Sequence, residues 1–211
     1  MTNRPAITDM VAQLTRPHHH AEPYTYEAGG TSYTQRHLVH APALLDQLQH
    51  ATPLTGSDHT RSGYTSRPAA SIEALDTWAR IDIEAARWVR DLGEDDPGDT
   101  KHCVRYLGSL LPSTETCGSN PRPDCCARHA IERDIRRWWT QARIVSGWDT
   151  AAWKPNNTCP LCATRGSLRI RIDGANDVSA MCIECRETWD IENIPLLAEH
   201  IKIENHEEDA A

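Results

Sequence analysis

Two Cys-x-x-Cys pairs constrain this chain more than any other feature. Cys159-Pro-Leu-Cys162 and Cys182-Ile-Glu-Cys185 are separated by 19 residues. A pair of cysteines two residues apart offers two thiolates from one tight turn, and two such turns complete a tetrahedron. The spacing is that of a zinc ribbon. The intervening residues agree: Leu168, Ile170 and Ile172 alternate with Arg169 and Arg171, as on a strand with one apolar and one basic face. Asp173–Asp177 reads as a turn, Val178–Met181 as the returning strand, and Glu187–Asp190 as a third strand whose Trp189 covers the sulfurs. A redox dithiol stands alone in a βαβ context, which this sequence lacks. With four thiolates the shell is closed, so one structural Zn2+ per chain is expected and no catalytic one.

Apolar periodicity organises the rest. A helix near Ile7–Leu14 precedes a hairpin in which Tyr24, Tyr26 and Tyr33 flank the turn Ala28-Gly29-Gly30. A short helix follows at Pro42–His50. Residues 52–70 are rich in Thr, Ser, Gly and Pro without an apolar period, and read as a flexible linker. The strongest helix has Ser71 as its N-cap, a stripe of Ala74, Trp78, Ile81, Ala85, Trp88 and Leu92, and Gly93 as its stop. Helices over about Thr100–Leu111 and Asp124–Ser146 complete a small bundle, and a last short helix begins near Pro195, before an acidic, frayed tail from Glu204. The expected fold is mainly α, divided into an N-terminal helix/hairpin element (1–51), a linker (52–70), a helical bundle (71–150) and the ribbon with its terminal helix (151–211).

The 39% hydrophobic content and mean hydropathy of −0.59 fit a chain with linker and tail rather than one all-enclosing core. No apolar run is long enough to span a bilayer and no signal segment opens the chain, so no membrane partner is expected and the location is cytoplasmic. A net charge of −8 opposes phosphate-driven binding to nucleic acid.

Several weaker groupings have a plain alternative. Cys103, Cys117, Cys125 and Cys126, with His102 and His129, are candidates for a second metal site, Cys125 and His129 lying one helical turn apart; buried free thiols are the simpler reading. His18-His19-His20 reads as solvated surface rather than a metal cluster. Arg122–Arg143 carries six arginines and three carboxylates interleaved with Trp138 and Trp139, a nucleic-acid signature. Residues 71–99 carry nine carboxylates and three arginines, so pairing between these two helices is preferred. Arg169 and Arg171, on the exposed ribbon face, are candidate phosphate contacts, although five basic and five acidic residues balance between Lys154 and Asp190. No GxSxG, P-loop, HExxH or GxGxxG is present, and the chain reads as non-enzymatic.

Taken together, the LLDQL segment (Leu44–Leu48), the helix with Trp78 and Trp88, the Arg/Trp helix (Asp134–Ile144), CPLC, CIEC, Trp189 and the terminal PLLAEHI (Pro195–Ile201) resemble a family of uncharacterised actinobacterial virus proteins that end in a zinc ribbon. The resemblance implies a phage origin and expression inside a host cell, and no mechanism. The leading expectation is a binding module for nucleic acid or a nucleic-acid-processing protein. The alternative is a scaffold in which zinc staples the C-terminal domain and the bundle binds a protein partner. Composition alone yields one test. Limited proteolysis is expected to cut at Arg61 or near Tyr64 before it cuts Ser71–Leu92, and first cleavage inside that helix would contradict the domain division.

Overall fold

The computed structural model describes residues 5–28, 31–50, 72–111, 126–146, 152–174 and 177–209. The expected linker, the Ser71 cap, the Gly29-Gly30 turn, Cys117 and Cys125 lie outside these residues. In chain order the elements are α1 (Ile7–Thr15), β1 (His18–Ala28), β2 (Thr31–Ala41), α2 (Leu44–His50), α3 (Ile72–Asp91), α4 (Thr100–Ser109), α5 (Ala127–Ser146), β3 (Leu168–Gly174), β4 (Asp177–Cys182), β5 (Thr188–Trp189) and α6 (Ile194–Asp209). The fold among the described residues is mainly α, with two small antiparallel sheets ordered β1-β2 and β3-β4-β5.

Helices α1 to α5 share one core. Met10 and Leu14, Leu44, Leu45 and Leu48 pack with Ile81 and Val89, Val104 and Leu107, and Ile135 and Trp138, all buried. The expected boundary at residue 51 therefore does not separate two cores. The leucines of α2 bury their stripe against α3 and α5 as well as against α1. At the crossing of α1 and α4 a Cβ on Gly108 would stand 2.7 Å from Val11 Cγ2, so the close approach needs a glycine.

Local chemistry sets the helix ends. Gly93 takes φ +86 and donates to the Arg90 carbonyl at 2.9 Å, and Glu94 N–H reaches back to Val89 O at 3.2 Å, which ends α3 in a left-handed cap. The Asp99 carboxylate accepts the Lys101 N–H at 3.0 Å and caps α4.

The charges of α3 and α5 pair internally, as expected. Arg137 Nη2 lies 2.7 Å from Glu84 Oε2, which also accepts the indole N–H of Trp138 at 2.7 Å. Trp88 donates to the buried Asp134 at 2.9 Å, and the Arg143 guanidinium sits 4.5 Å over the Trp139 ring. The aromatic residues of α5 are thus core and clamp residues. Trp138 is fully buried, and Trp139 is buried and donates to Gln13 at 2.8 Å.

The histidine run starts β1, with His19 exposed and facing His40 across the hairpin, ring centroids 5.5 Å apart. One expectation about the periphery is corrected. The C-terminal helix does not fray at Glu204, because that carboxylate accepts the Thr158 N–H at 2.9 Å and pairs with Arg165 at 3.2 Å, while Asn205 accepts from Asn157 at 2.7 Å.

Glu84 carries two partners, so its variants grade the α3–α5 junction. Glu84→Ala leaves the buried Trp138 N–H without its acceptor and is expected to lower the unfolding free energy by about 1–3 kcal/mol in denaturant titration. Glu84→Gln keeps an acceptor oxygen and is expected to cost less. Equal losses for the two variants would remove the indole bond from this account.

Candidate metal centre

Each Cys-x-x-Cys pair folds into the same turn. In the first, Ala163 N–H donates to Cys159 O at 2.9 Å and Cys159 N–H to Thr164 O at 3.1 Å. In the second, Arg186 N–H donates to Cys182 O at 3.0 Å and Cys182 N–H to Glu187 O at 3.0 Å. The residue after each second cysteine is left-handed, φ 58 at Ala163 and φ 64 at Arg186. A non-glycine residue there costs roughly 1–2 kcal/mol. The turn nonetheless needs that φ to bring both sulfurs to one side.

The two turns bring Cys159, Cys162, Cys182 and Cys185 together with all four Sγ atoms within 4.8 Å of one another. Across the turns the separations are 3.8 Å for Cys159–Cys185 and 3.7 Å for Cys162–Cys182. A sulfur tetrahedron with metal bonds of about 2.3 Å has edges of about 3.8 Å, so the donor set fits a small tetrahedral ion. Cys159 and Cys182 are buried, and Cys162 and Cys185 reach the surface. Leu161 N–H donates to Cys159 Sγ at 3.5 Å, and Ser167 Oγ stands 3.2 Å from Cys182 Sγ while donating to Thr164 O.

The environment separates the thiols. Hydrogen bonds from the Thr164 hydroxyl and then its N–H lower Cys162 to about 6. Burial of its thiol against the other sulfurs pushes Cys185 up to about 12 and raises Cys159 as well.

The supporting shell comes from two directions. On one face of the sheet, Leu168 and Ile170 pack with Trp189, Leu197 and Ile201, a cluster that also contains Cys159 and Cys182. Trp189 thus takes the covering position expected of it, on the short strand β5. The loop entering the first turn is held by α6 through Glu204 and through His200, whose Nε2 lies 3.0 Å from Thr158 O.

The other face of the sheet corrects the reading of Arg169 and Arg171. Both are buried, at 7% and 6% exposure, rather than solvent-facing. Alternation identifies the residues that share a face and says nothing of what covers it; here α3 and α5 do. Arg169 makes a bidentate pair with Glu73, Nη2–Oε1 2.7 Å and Nε–Oε2 3.3 Å, and also donates to Gly166 O and Leu168 O. Burial raises the Glu73 carboxyl, but Arg169 outweighs this and holds it below its ordinary value. Arg171 Nη1 donates to Arg143 O at 2.7 Å, one of the carbonyls that the end of α5 leaves open.

A third arginine was not singled out by the sequence. Arg186 pairs with Asp76, donates to Thr77 Oγ1 at 3.3 Å, and offers its carbonyl to Gln141 Nε2 at 2.8 Å. Its place next to Cys185 was the available clue. Nothing marked Gln141.

The remaining cysteines and histidines do not join a metal cluster among the described residues. Cys103 is buried in the helical core, its thiol raised by that burial and by nearby Asp96. Cys126 Sγ lies 3.2 Å from His129 Nδ1, one helical turn on.

A family model described as a domain of unknown function, DUF7341, matches residues 2–143. That range spans α1 to all but the last turn of α5, and ends before the first metal-site cysteine. No curated protein and no solved structure matches the chain.

Proposed function

The chain belongs to the DUF7341 family, a domain of unknown function, and on that premise we propose that it is a non-enzymatic zinc protein acting as a scaffold. Zinc staples the C-terminal ribbon to the helical part, and the helical part meets a protein partner. One observation carries this reading: four cysteine sulfurs lie within 4.8 Å of one another with tetrahedral edge lengths. Four soft thiolates suit Zn2+, and they leave no position for a water or substrate, which supports a structural role over a catalytic one.

The small apolar cluster beneath the site explains why the ribbon needs the ion. Leu168, Ile170, Ala180, Trp189, Leu197 and Ile201 are its buried members beside the two cysteines. Metal binding then supplies much of the local folding free energy. The nucleic-acid reading is weakened, because Arg169 and Arg171 are spent on Glu73 and the Arg143 carbonyl, and Arg137 and Arg136 of α5 on Glu84 and Glu132. The net charge of −8 points the same way.

In this reading the protein works in the cytoplasm of an infected host, which rests on the resemblance to actinobacterial virus proteins alone. Among the described residues no helix is long and apolar enough to cross a membrane.

Elemental analysis of the purified chain is expected to give one zinc per chain, lost in a Cys159→Ser/Cys182→Ser double variant. At low ionic strength no salt-dependent gel shift of single- or double-stranded DNA or RNA is expected. Iron with labile sulfide, or no metal, would overturn the zinc assignment. A salt-dependent shift would restore nucleic acid as the partner.

A further inference from the structure

Arg186 ties the second metal turn to the helical layer. We propose that it works as a metal-gated clasp, holding the first turns of α3 in place only while the Cys182–Cys185 turn is closed around its ion. The inference rests on the zinc reading above.

The argument starts from the asymmetry of the two turns. Both have the same backbone hydrogen bonds and both end on a left-handed residue. In the first turn that residue is Ala163, which is exposed and whose side chain is a single methyl group. In the second it is Arg186, part-buried, with a side chain that spans to α3 and a backbone carbonyl received by α5. The direction of the Arg186 side chain follows from its φ of 64, and that φ follows from the turn that gathers Cys182 and Cys185. Opening the turn frees Arg186 to return to the commoner right-handed or extended regions. The guanidinium would then swing away from Asp76 and Thr77, and the carbonyl from Gln141.

The release has consequences on the receiving side. Thr77 is fully buried, and Gln141 is 4% exposed, so neither can replace its lost partner with bulk water without local opening. Glu73, one turn earlier, depends on Arg169 of the same sheet. The N-terminal half of α3 thus draws three of its polar contacts from a sheet that the metal organises. Metal occupancy and the order of α3 are coupled sites in the thermodynamic sense.

The test uses hydrogen exchange on the full chain, with and without a chelator, in wild type and Arg186→Ala. Alanine already occupies the equivalent left-handed position in the first turn, so the variant is expected to fold and to keep its zinc. In wild type, chelation is expected to raise exchange in β3 to β5, and to raise it about fivefold or more at the amides of residues 76–82. In zinc-loaded Arg186→Ala those α3 amides should already exchange faster while β3 to β5 stay protected. Chelation should then add an effect on α3 smaller by at least about threefold than in wild type. Loss of protection in the sheet with no change in α3 overturns the clasp and leaves the zinc reading standing. An equal chelation effect on α3 in both proteins assigns the coupling to contacts other than Arg186 and also overturns it. Absence of zinc, or no response of the sheet to chelation, overturns both.

Discussion

Three guanidinium groups taken largely out of water hold the C-terminal sheet against the helices. Arg169, Arg171 and Arg186 leave a polar strand face and a metal turn to meet Glu73, the Arg143 carbonyl, and Asp76 with Thr77. A buried arginine without partners costs several kcal/mol, so each depends on the acceptors that it meets on the helices. The acceptors in turn belong to helix ends: Glu73 and Asp76 to the start of α3, the Arg143 carbonyl to the close of α5. The seam is therefore specific in register. A shift of the sheet by one residue would exchange the arginines for Leu168 and Ile170 and set guanidinium groups against the apolar cluster of α6.

This arrangement explains how a small module attaches to a larger one without a large apolar interface. The helical core and the sheet cluster are separate sets of buried residues, one around Trp138 and Leu45, the other around Trp189 and Leu197. Between them, polar groups do the joining, with Met181 and Ser179 filling the space beside the arginines. The matched family range, residues 2–143, covers the helical core and stops short of the sheet. The matched range thus ends at Arg143, the residue whose carbonyl Arg171 caps.

Much of this was legible from residues alone, and the failures share a cause. The cysteine pairs, the strands between them, Trp189 beside the buried cysteines and the helix ended by Gly93 are local patterns, and the structure repeats them, although Leu92 of the expected α3 stripe is exposed and Val89 is buried instead. The preference for internal charge pairing between α3 and α5 also stands, through Glu84 and Arg137. What could not be read was which surfaces meet. The alternation of Arg169 and Arg171 with Leu168 and Ile170 shows two faces and leaves open whether water or a helix covers the polar one. Leu44, Leu45 and Leu48 are evidently apolar, but the partners they find on α3 and α5 lie across a sequence gap that no period bridges. Glu204 looked like a solvated tail residue because its partner, the Thr158 amide, is 46 positions away.

That last contact has a bearing on how the chain is made. The loop leading into Cys159 is secured by α6, whose residues are the last of the described segments to leave the ribosome. Helices α1 to α5 precede every metal-site cysteine in the chain and carry their own core, so they are free to pack while the sheet is still being synthesised. Through that interval Glu73 and Asp76 face solvent with no cation beside them from the sheet, and the Arg143 carbonyl stays hydrated. Assembly is then ordered by sequence position: a helical body first, an acidic landing place left open on it, and a metal module that arrives late and completes itself only when α6 folds back over its entry loop.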